Sequence, residues 1–278
     1  MLLVSYPYNN RVFLSMSLPT ISIVTISFNQ AKYLEECICS VLDQDYPNID
    51  YIVVDPGSTD GSRNIIERYQ DRLGAVVFEP DRGPADGLNN GFRHAKGQVF
   101  GYINADDRLI PGALKMVGEY FAAHDKVDVL CGAIRIVDEE GRASKRSRTA
   151  DLFDPVKYAA GICTVGQQGT FFRENVFRKA GGFNPTNRIT WDGELLVDMA
   201  LADARYATIN KVLGDFRIYP GSITGSQRFR TQYINEQNRV AQKIEDNHLI
   251  LMNPWKRRLA RLAYRYNPLR HLQYWTVR

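Results

Sequence analysis

The segment from Phe78 to Pro111, FEPDRGPADGLNNGFRHAKGQVFGYINADDRLIP, determines how this sequence is interpreted. Its apolar run at 99–103 is followed closely by two adjacent carboxylates, Asp106 and Asp107. A buried strand that ends in carboxylates is suited to holding a divalent cation at the carboxyl edge of a sheet. Upstream, polar residues and glycines between 81 and 91 form a loop suited to wrapping a nucleotide. The segment therefore predicts a cation beside a nucleotide.

Around this segment, the first half of the chain alternates strands with helices. Apolar runs rich in β-branched residues predict strands at 21–27, 51–54, 75–78 and 99–103. Helical apolar spacing predicts helices at 29–42 and 62–73. This alternation predicts a Rossmann-like α/β unit, a mostly parallel central sheet flanked by helices. Later elements are expected at 127–137, 165–173, 193–204 and 206–218, with a hairpin tip or loop at 138–148.

Composition limits the classes of protein to consider. The chain has 278 residues and a net charge of +4, which suits one large domain with an appendage and gives no argument for nucleic acid as a partner. Its four cysteines show neither zinc spacing nor a disulfide framework, which favours reduced thiols and a cytoplasmic protein. No apolar run reaches the roughly 18 residues of a membrane span. The start of the chain also lacks the pattern of a signal peptide.

We expect three regions: a loosely ordered extension at 1–18, a main domain at 19–227 and a helical tail at 228–278. Between 251 and 278 every charged residue is basic, and aromatic and apolar residues such as Trp255 and Leu259 stand between the charges. Such a helix can lie in the headgroup layer of an anionic membrane surface. It can equally pack on the domain with a solvated basic face. Both interpretations remain open from the sequence.

Four segments resemble the inverting glycosyltransferases of family 2, which have the GT-A fold, over residues 19–224. They are SIVTISFNQAKYLEECICSVLDQDYPNIDYIVVDPGSTDGS at 22–62, the stretch at 78–107, GQQGTFFRENVFRKAGGFNP at 166–185, and WDGELLVDMALAD with FRIYPGSIT at 191–203 and 216–224. The resemblance implies metal-dependent transfer of a hexosyl or N-acetylhexosaminyl group, with inversion, from a nucleoside diphosphate sugar to a glycan acceptor. With the basic tail, it suggests a lipid-linked acceptor, surface-polysaccharide assembly and a peripheral position on the inner face of the membrane.

The resemblance also implies roles for the acidic residues on the donor side. Asp107 would bind Mn²⁺ or Mg²⁺, which neutralises charge on the leaving diphosphate as a Lewis acid. Asp106 would lie against the ribose or a metal-bound water. Asp55 would contact the nucleotide base, and Asp81 and Asp86 would line the nucleotide and sugar pocket.

On the acceptor side, Asp192 matches the aspartate of the family's Glu-Asp motif and would be the general base, with Glu194 as the nearby substitute. An acid that only stabilises the first helical turn is the alternative. Trp191 replaces the usual Glu, and either stacks on an acceptor sugar or packs. Gln167 and Gln168 would hydrogen-bond the donor sugar or the acceptor, or form a polar strand end without a ligand.

The closing loop departs from the family pattern. Tyr219 stands where a histidine is expected, and tyrosine is a poor metal ligand but a good hydrogen-bond donor to phosphate. Arg217 would pair with a phosphate or form a structural ion pair. Tyr219 and Trp191 also motivate an alternative function, a degenerate GT-A domain acting as a non-catalytic binding or scaffolding partner.

Overall fold

A computed structural model of the chain describes residues 17–226 and 228–267. The predicted extension at 1–18 therefore lies outside the described residues except for its last two positions. The same holds for residues 268–278 of the predicted tail. Our division of the chain into three regions stays a prediction.

The described strands belong to one sheet. They are β1 Ile21–Ile26, β2 Ile49–Val54, β3 Ala75–Val77, β4 Val99–Asn104, β5 Arg108–Leu109, β6 Val129–Val137, β7 Ala143–Arg148, β8 Thr170–Arg173 and β9 Tyr206–Arg217. The helices are α1 Ala31–Leu42, α2 Ser62–Tyr69, α3 Pro84–Phe92, α4 Ala113–Ala123, α5 Pro155–Ala160, α6 Glu174–Lys179, α7 Trp191–Leu201, α8 Ile223–Ser226, α9 Arg230–Asp246 and α10 Pro254–Arg265.

The strand order creates a crevice between β1 and β4. The sheet runs β3-β2-β1-β4-β8-β6-β9-β5, with β7 paired to β6. From β1 the chain proceeds outward to β2 and β3, and then returns to place β4 on the other side of β1, parallel to it. In α/β sheets, ligands commonly bind in the crevice that lies outside the carboxyl ends of the strands, at the point where the strand order reverses. Ile26 and Asn104 are paired at this edge.

Strands β1 to β4 pair in parallel, whereas the second half of the sheet combines parallel and antiparallel pairs. Strand β8 is antiparallel to both of its neighbours, β4 and β6, whereas β6 and β9 are parallel. The predicted strand at 165–173 starts only at Thr170, because Gln167–Gly169 form a 3-10 turn. In the predicted hairpin tip at 138–148, the turn is shorter than expected and residues from Ala143 onward form β7.

Helices cover both faces of the sheet. One face packs on α1, α2 and α4, and the other on α3, α6, α7 and α9. Along β1, Ile23 belongs to the first cluster and Val24 to the second, as the two-residue period of a strand requires. Helix α9 takes part in this core through Val240 and Ile244, which are buried. The beginning of the predicted tail is therefore packed on the domain.

A buried charge network fastens α7 to α9. Glu194 of α7 is fully buried, and its two carboxylate oxygens accept hydrogen bonds from the Arg239 guanidinium, both at 2.6 Å. The Lys243 ammonium donates to the same carboxylate at 2.6 Å, and Asn187 at 2.7 Å. Burial acts to raise the pKa of Glu194, but the hydrogen bonds from Arg239 and Lys243 outweigh it and lower this pKa from 4.5 to about 2.

We predict that Glu194→Gln lowers the free energy of unfolding by about 3–5 kcal/mol at neutral pH, because two cations lose their buried partner. The folded-state pKa is depressed, so the ionised carboxylate stabilises the fold above pH 4.5 and loses this effect as the pH falls toward 2. Urea unfolding as a function of pH should show the difference between wild type and variant shrinking over that interval.

Glu174→Gln is the matched control, because Glu174 forms a surface ion pair with Arg178 one turn away. Exposed pairs contribute little to stability, so we expect a much smaller change. An equal loss in the two variants would contradict the special role of the network.

Candidate active site

A cleft of about 1260 Å³ opens at the carboxyl ends of β1 and β4. Most of the predicted site residues line it, namely Asp81, Asp106, Gln167, Gln168, Trp191, Asp192, Arg217 and Tyr219. Asp55, Asp86 and Asp107 are not among the lining residues. The cleft also contains a residue that the sequence interpretation missed, Phe28, which lies two residues after β1 and is 59% exposed. An aromatic residue directly after the predicted strand at 21–27 was the available signal.

The two carboxylates after β4 face different surroundings. Asp107 is only 2% exposed, and its Oδ1 accepts a hydrogen bond from the backbone N–H of Arg217 at 2.8 Å. Its Oδ2 accepts one from Gln168 Nε2 at 2.7 Å. Asp106 lines the cleft instead. Burial raises the pKa of both side chains, and that of Asp107 is raised further by the neighbouring Asp106.

Asn104 is a second residue that the sequence interpretation missed. It is the last residue of β4 and lines the cleft, and its Nδ2 donates to Gln167 Oε1 at 3.2 Å. Its Oδ1 is buried and has no hydrogen-bond partner among the described residues. Buried polar atoms are nearly always paired, so an unpaired oxygen in a cleft indicates an external partner. The signal in the sequence was the spacing Asn104-x-Asp106, an Asp-x-Asp motif with an amide in its first position.

This donor set suits a divalent cation that shares its coordination with a substrate. Within residues 17–226 and 228–267, no group of three or more His, Cys, Asp or Glu side chains is arranged to hold a metal ion. The Asp106 carboxylate and the unpaired Asn104 oxygen are both hard oxygen donors at the same cleft. Mg²⁺ sites of nucleotide enzymes commonly use one or two protein oxygens, with phosphate and water completing the shell. The residues therefore fit such an ion.

The closing loop brings Tyr219 against the Asp106 side chain. A hydrogen bond from the Tyr219 hydroxyl acts to lower the pKa of Asp106, against the larger effect of burial. Burial and the nearby Asp106 raise the pKa of Tyr219 to about 12, so the phenol keeps its proton near neutral pH. The residue at the expected histidine position thus reaches the predicted donor site as a hydrogen-bond donor.

Arg217 has the geometry of the structural ion pair rather than that of a free phosphate ligand. Its side chain is 2% exposed, and its guanidinium donates to the carbonyl oxygens of Asp106 and Glu139, both at 2.8 Å. It also pairs with the Glu36 carboxylate and lies 4.8 Å from the centre of the Tyr33 ring. These contacts connect the end of β9 to the loop that carries Asp106.

The upstream loop divides its two acids between the cleft and the surface. Asp81 lines the cleft, and its Oδ1 accepts a hydrogen bond from the Gly83 backbone at 2.8 Å. Burial raises the pKa of Asp81, and the Arg188 guanidinium, which also lines the cleft, acts against this rise. Asp86 instead accepts hydrogen bonds from the Arg82 guanidinium at 3.0 and 3.2 Å, outside the lining of the cleft.

Asp55 is fully buried below the loop that follows β2. Its carboxylate accepts hydrogen bonds from the Ser58 backbone at 2.8 Å and from Arg63 Nε at 3.2 Å. Pro56, next to it, lines the cleft. Asp55 therefore shapes the loop beside the cleft, and its predicted contact with a base stays a prediction.

Helix α7 places Asp192 in its first turn at the wall of the cleft. Burial raises the pKa of Asp192, while a hydrogen bond from the Gly193 backbone acts in the other direction. A Cβ on Gly193 would stand 1.7 Å from the Tyr158 hydroxyl, so the absence of a side chain lets this phenol approach the turn closely. Glu194, the substitute base of the sequence interpretation, lies in the interior and is bound by two cations.

The other residues predicted to lie on the acceptor side are held by contacts within the protein. The Trp191 ring is 7% exposed and belongs to the core, and its buried Nε1 has no partner among the described residues. Gln167 Nε2 donates to the Tyr102 carbonyl oxygen at 2.7 Å, and Gln168 holds Asp107. The Trp191 side chain is thus packed in the core next to the cleft, and its role toward an acceptor stays a prediction.

Comparison with known proteins assigns the family. The family model described as glycosyl transferase family 2 matches residues 22–187, more than half of the 278 residues. The chain belongs to glycosyl transferase family 2. This confirms the resemblance seen in the sequence.

Two curated relatives show how far this family 2 chain extends along them. An uncharacterized glycosyltransferase of Nostoc sp. is 26% identical over 209 residues, which cover 72% of the chain and 65% of the relative. The putative teichuronic acid biosynthesis glycosyltransferase TuaG of Bacillus subtilis is 36% identical over 93 residues, 32% of the chain and 37% of the relative. The chain thus spans less than two thirds of the length of either.

Solved structures confirm the GT-A fold of this family 2 chain. Mannosyltransferase PcManGT from Pyrobaculum calidifontis, solved with GDP-Man and Mn²⁺, aligns with a TM-score of 0.65 and 19% identity over 92% of the chain and 73% of its own. Residues 1–349 of S. aureus TarS, solved with UDP-GlcNAc, align with a TM-score of 0.60 and 21% identity over 74% of the chain and 61% of theirs.

We predict that Arg217→Leu lowers the free energy of unfolding by about 2–4 kcal/mol, because two carbonyl oxygens and the Glu36 carboxylate lose the buried guanidinium that they bind. Urea unfolding in the absence of any nucleotide measures this loss. Arg82→Leu is the control, since Arg82 is exposed and forms a surface ion pair with Asp86, and little change is expected. An unchanged stability in Arg217→Leu would show that this arginine is free for a ligand.

Proposed function

We propose that this protein transfers a hexosyl or N-acetylhexosaminyl group, with inversion, from a nucleoside diphosphate sugar to a hydroxyl group of a glycan acceptor. One observation carries the proposal: a single cleft at the β1–β4 crevice holds both halves of the chemistry. Asp106 and the unpaired Asn104 oxygen lie at the donor side, and Asp192, whose pKa is raised by burial, lies in the same lining. The family membership supports an enzyme over the scaffolding alternative.

The donor would occupy the end of the cleft that follows β1 and β4. Phe28 offers an exposed aromatic face for a base or sugar ring, and Asp81 offers a carboxylate for hydroxyl groups. Arg188 also lines this cleft and can contact phosphate oxygens. The structural neighbours solved with UDP-GlcNAc and GDP-Man support a nucleoside diphosphate sugar as donor.

Asp106 and Asn104 Oδ1 would hold Mn²⁺ or Mg²⁺. When bound there, the ion supplies Lewis-acid stabilisation of the negative charge on the diphosphate leaving group. The Tyr219 hydroxyl is placed to donate a hydrogen bond to the Asp106 carboxylate. The sequence interpretation assigned the metal-ligand role to Asp107, whose two carboxylate oxygens both accept hydrogen bonds from protein donors in the structure. Asp106 and Asp107 as metal ligand therefore lead to different predictions for variants.

Asp192 would act as the general base. Its carboxylate accepts the proton of the acceptor hydroxyl while the hydroxyl oxygen forms a bond to the anomeric carbon. The bond from that carbon to the diphosphate oxygen breaks, its electron pair leaves with the diphosphate, and the proton remains on Asp192. A pKa raised by burial makes the carboxylate a stronger proton acceptor than an exposed aspartate. Attack from the face opposite the leaving group inverts the anomeric centre.

We further propose that the acceptor is lipid-linked and that the enzyme works on the cytoplasmic, inner face of the membrane in surface-polysaccharide assembly. The similarity to TuaG supports polysaccharide synthesis. The basic and aromatic tail supports contact with lipid.

None of the helices in the described part of the chain is long and apolar enough to cross a bilayer. The proposed division is a catalytic domain at 19–227 and a tail at 228–278, whose helix α9 packs on α7.

We predict that Asp106→Asn abolishes the Mn²⁺-dependent part of donor binding, whereas Asp107→Asn retains it, because of the two only Asp106 lines the cleft and an asparagine at 107 still offers an oxygen to the backbone N–H of Arg217. Calorimetric titration of UDP-GlcNAc and GDP-Man, with and without Mn²⁺, measures this difference. Thermal unfolding without ligand confirms that both variants are folded. The reverse pattern would return the ligand role to Asp107 and contradict our assignment.

We also predict that Asp192→Asn binds donor normally but slows sugar transfer by a factor on the order of 10²–10⁴. In the wild type, kcat/KM should fall as the pH drops through an apparent pKa above the ordinary value of about 3.9, because protonation removes the base. Release of nucleoside diphosphate at different pH values measures both effects. Asp203→Asn, at an exposed position just after α7, is the control. Normal turnover of Asp192→Asn would exclude this residue as the base.

A further inference from the structure

Helix α10 presents its apolar side outward. Trp255, Leu259, Leu262 and Tyr266 recur at helical spacing, so they form one stripe along the helix and its carboxyl end. Their exposed fractions are 61%, 55%, 48% and 70%. An amphipathic helix on a globular protein normally buries its apolar stripe in the core. This helix does the opposite.

The opposite side of α10 is fastened to the domain by polar contacts. The Arg261 guanidinium donates to the Ala160 carbonyl oxygen at 2.6 Å, at the end of α5. The Tyr264 hydroxyl lies 2.7 Å from the Thr164 hydroxyl and donates to the Asp151 carboxylate. Because these contacts fix the rotation of α10 about its own axis, the exposure of the stripe follows from how the helix docks.

A row of arginines borders the stripe. Residues Arg257, Arg258 and Arg265 form this row, and together with the docked Arg261 they line a groove of about 450 Å³ along the helix. Arg257 Nε is buried and has no hydrogen-bond partner among the described residues. Helix α10 contains no acidic residue. Guanidinium groups next to an exposed apolar stripe match the two layers of a lipid surface, anionic phosphate above hydrocarbon.

The fastened side of α10 adjoins the acceptor side of the cleft. Tyr158 of α5 lies against Gly193 and accepts a hydrogen bond from Gln237 of α9 at 3.1 Å. Tyr233 of α9 lines the cleft and is close enough to both Asp192 and Arg261 for their charges to act on its hydroxyl. A chain of neighbouring groups thus leads from the proposed base to α10.

We propose that α10 docks on an anionic lipid surface through the stripe and its arginine row, so that a lipid-carried acceptor meets the cleft at Asp192. The docking surface stands on its own, whereas the orientation of the acceptor rests on the function proposed above. A lipid surface fits better than a second copy of this chain, because two identical arginine rows would repel each other across a symmetric contact.

Co-sedimentation of the full chain with vesicles tests the docking surface. We expect binding to phosphatidylcholine vesicles that contain equimolar phosphatidylglycerol, weakening as salt is added, and little binding to phosphatidylcholine alone. The double variant Leu259→Ser with Leu262→Ser should bind at least roughly tenfold more weakly, because it removes two apolar anchors. Arg258→Glu should lose roughly tenfold as well. Lys115→Glu, a charge change on α4 away from the tail, should bind like the wild type.

Two further measurements separate this inference from the proposed function. Asp192→Asn should bind vesicles like the wild type, so lipid binding is read without turnover. With an acceptor in the vesicle, the double leucine variant should lose transfer roughly in proportion to its lost binding, while its transfer to a water-soluble acceptor is unchanged. Unaltered vesicle binding by the double variant would overturn the docking surface. A wild-type dimer that ignores vesicles and becomes monomeric in the double variant would also overturn it, in favour of a second copy.

Discussion

The buried Asp107 carboxylate is the contact on which the rest of the site depends. Its Oδ1 accepts a hydrogen bond from the backbone N–H of Arg217 at the end of β9, and its Oδ2 accepts one from the side-chain amide of Gln168 in the turn before β8. A buried carboxylate is costly unless donors surround it, so this position selects the conformation in which all three segments meet. Arg217 then holds the carbonyl oxygen of Asp106, which leaves the Asp106 side chain directed at the cleft. The parallel and mixed halves of the sheet are thereby joined at the cleft.

Much of this arrangement was predictable from local pattern. The β-branched runs gave the first four strands, and a carboxylate doublet after the fourth placed a polar site at the edge of the sheet. Which carboxylate faces the cleft was not predictable, because the regular alternation of a strand ends where the turn begins. The orientation of Asp107 depends on its hydrogen bonds with Gln168 and Arg217, which are 61 and 110 residues from it along the chain. No local signal carries such a contact.

The acidic residues of α7 also have orientations that depend on contacts distant along the chain. Asp192 and Glu194 stand two positions apart on one helix, so they point to different sides of it. The sequence identified both as candidates for the base, and helix geometry requires that only one can face a given cleft. Glu194 points into the interior because Arg239 and Lys243 of α9 lie there and pair with it. The helical pattern alone predicted neither these ion pairs nor the packing of α9 on α7. The pKa of Glu194, lowered by these cations, leaves Asp192 as the carboxylate suited to accept a proton.

Helix α10 extends this reasoning to the surface. A helical wheel predicts that a stripe of tryptophan, leucine and tyrosine packs on the domain. In the structure Arg261 and Tyr264 lie on the inward side instead. They form hydrogen bonds there with the carbonyl oxygen of Ala160 and with the polar groups at 151 and 164. Turning the helix over would bury apolar area but strand those polar partners. The docked orientation keeps these hydrogen bonds and leaves the stripe outward, beside a row of cations. Because α5 and α9 connect this helix to the turn that carries Asp192, a surface bound at the stripe would lie next to the proposed acceptor side of the cleft.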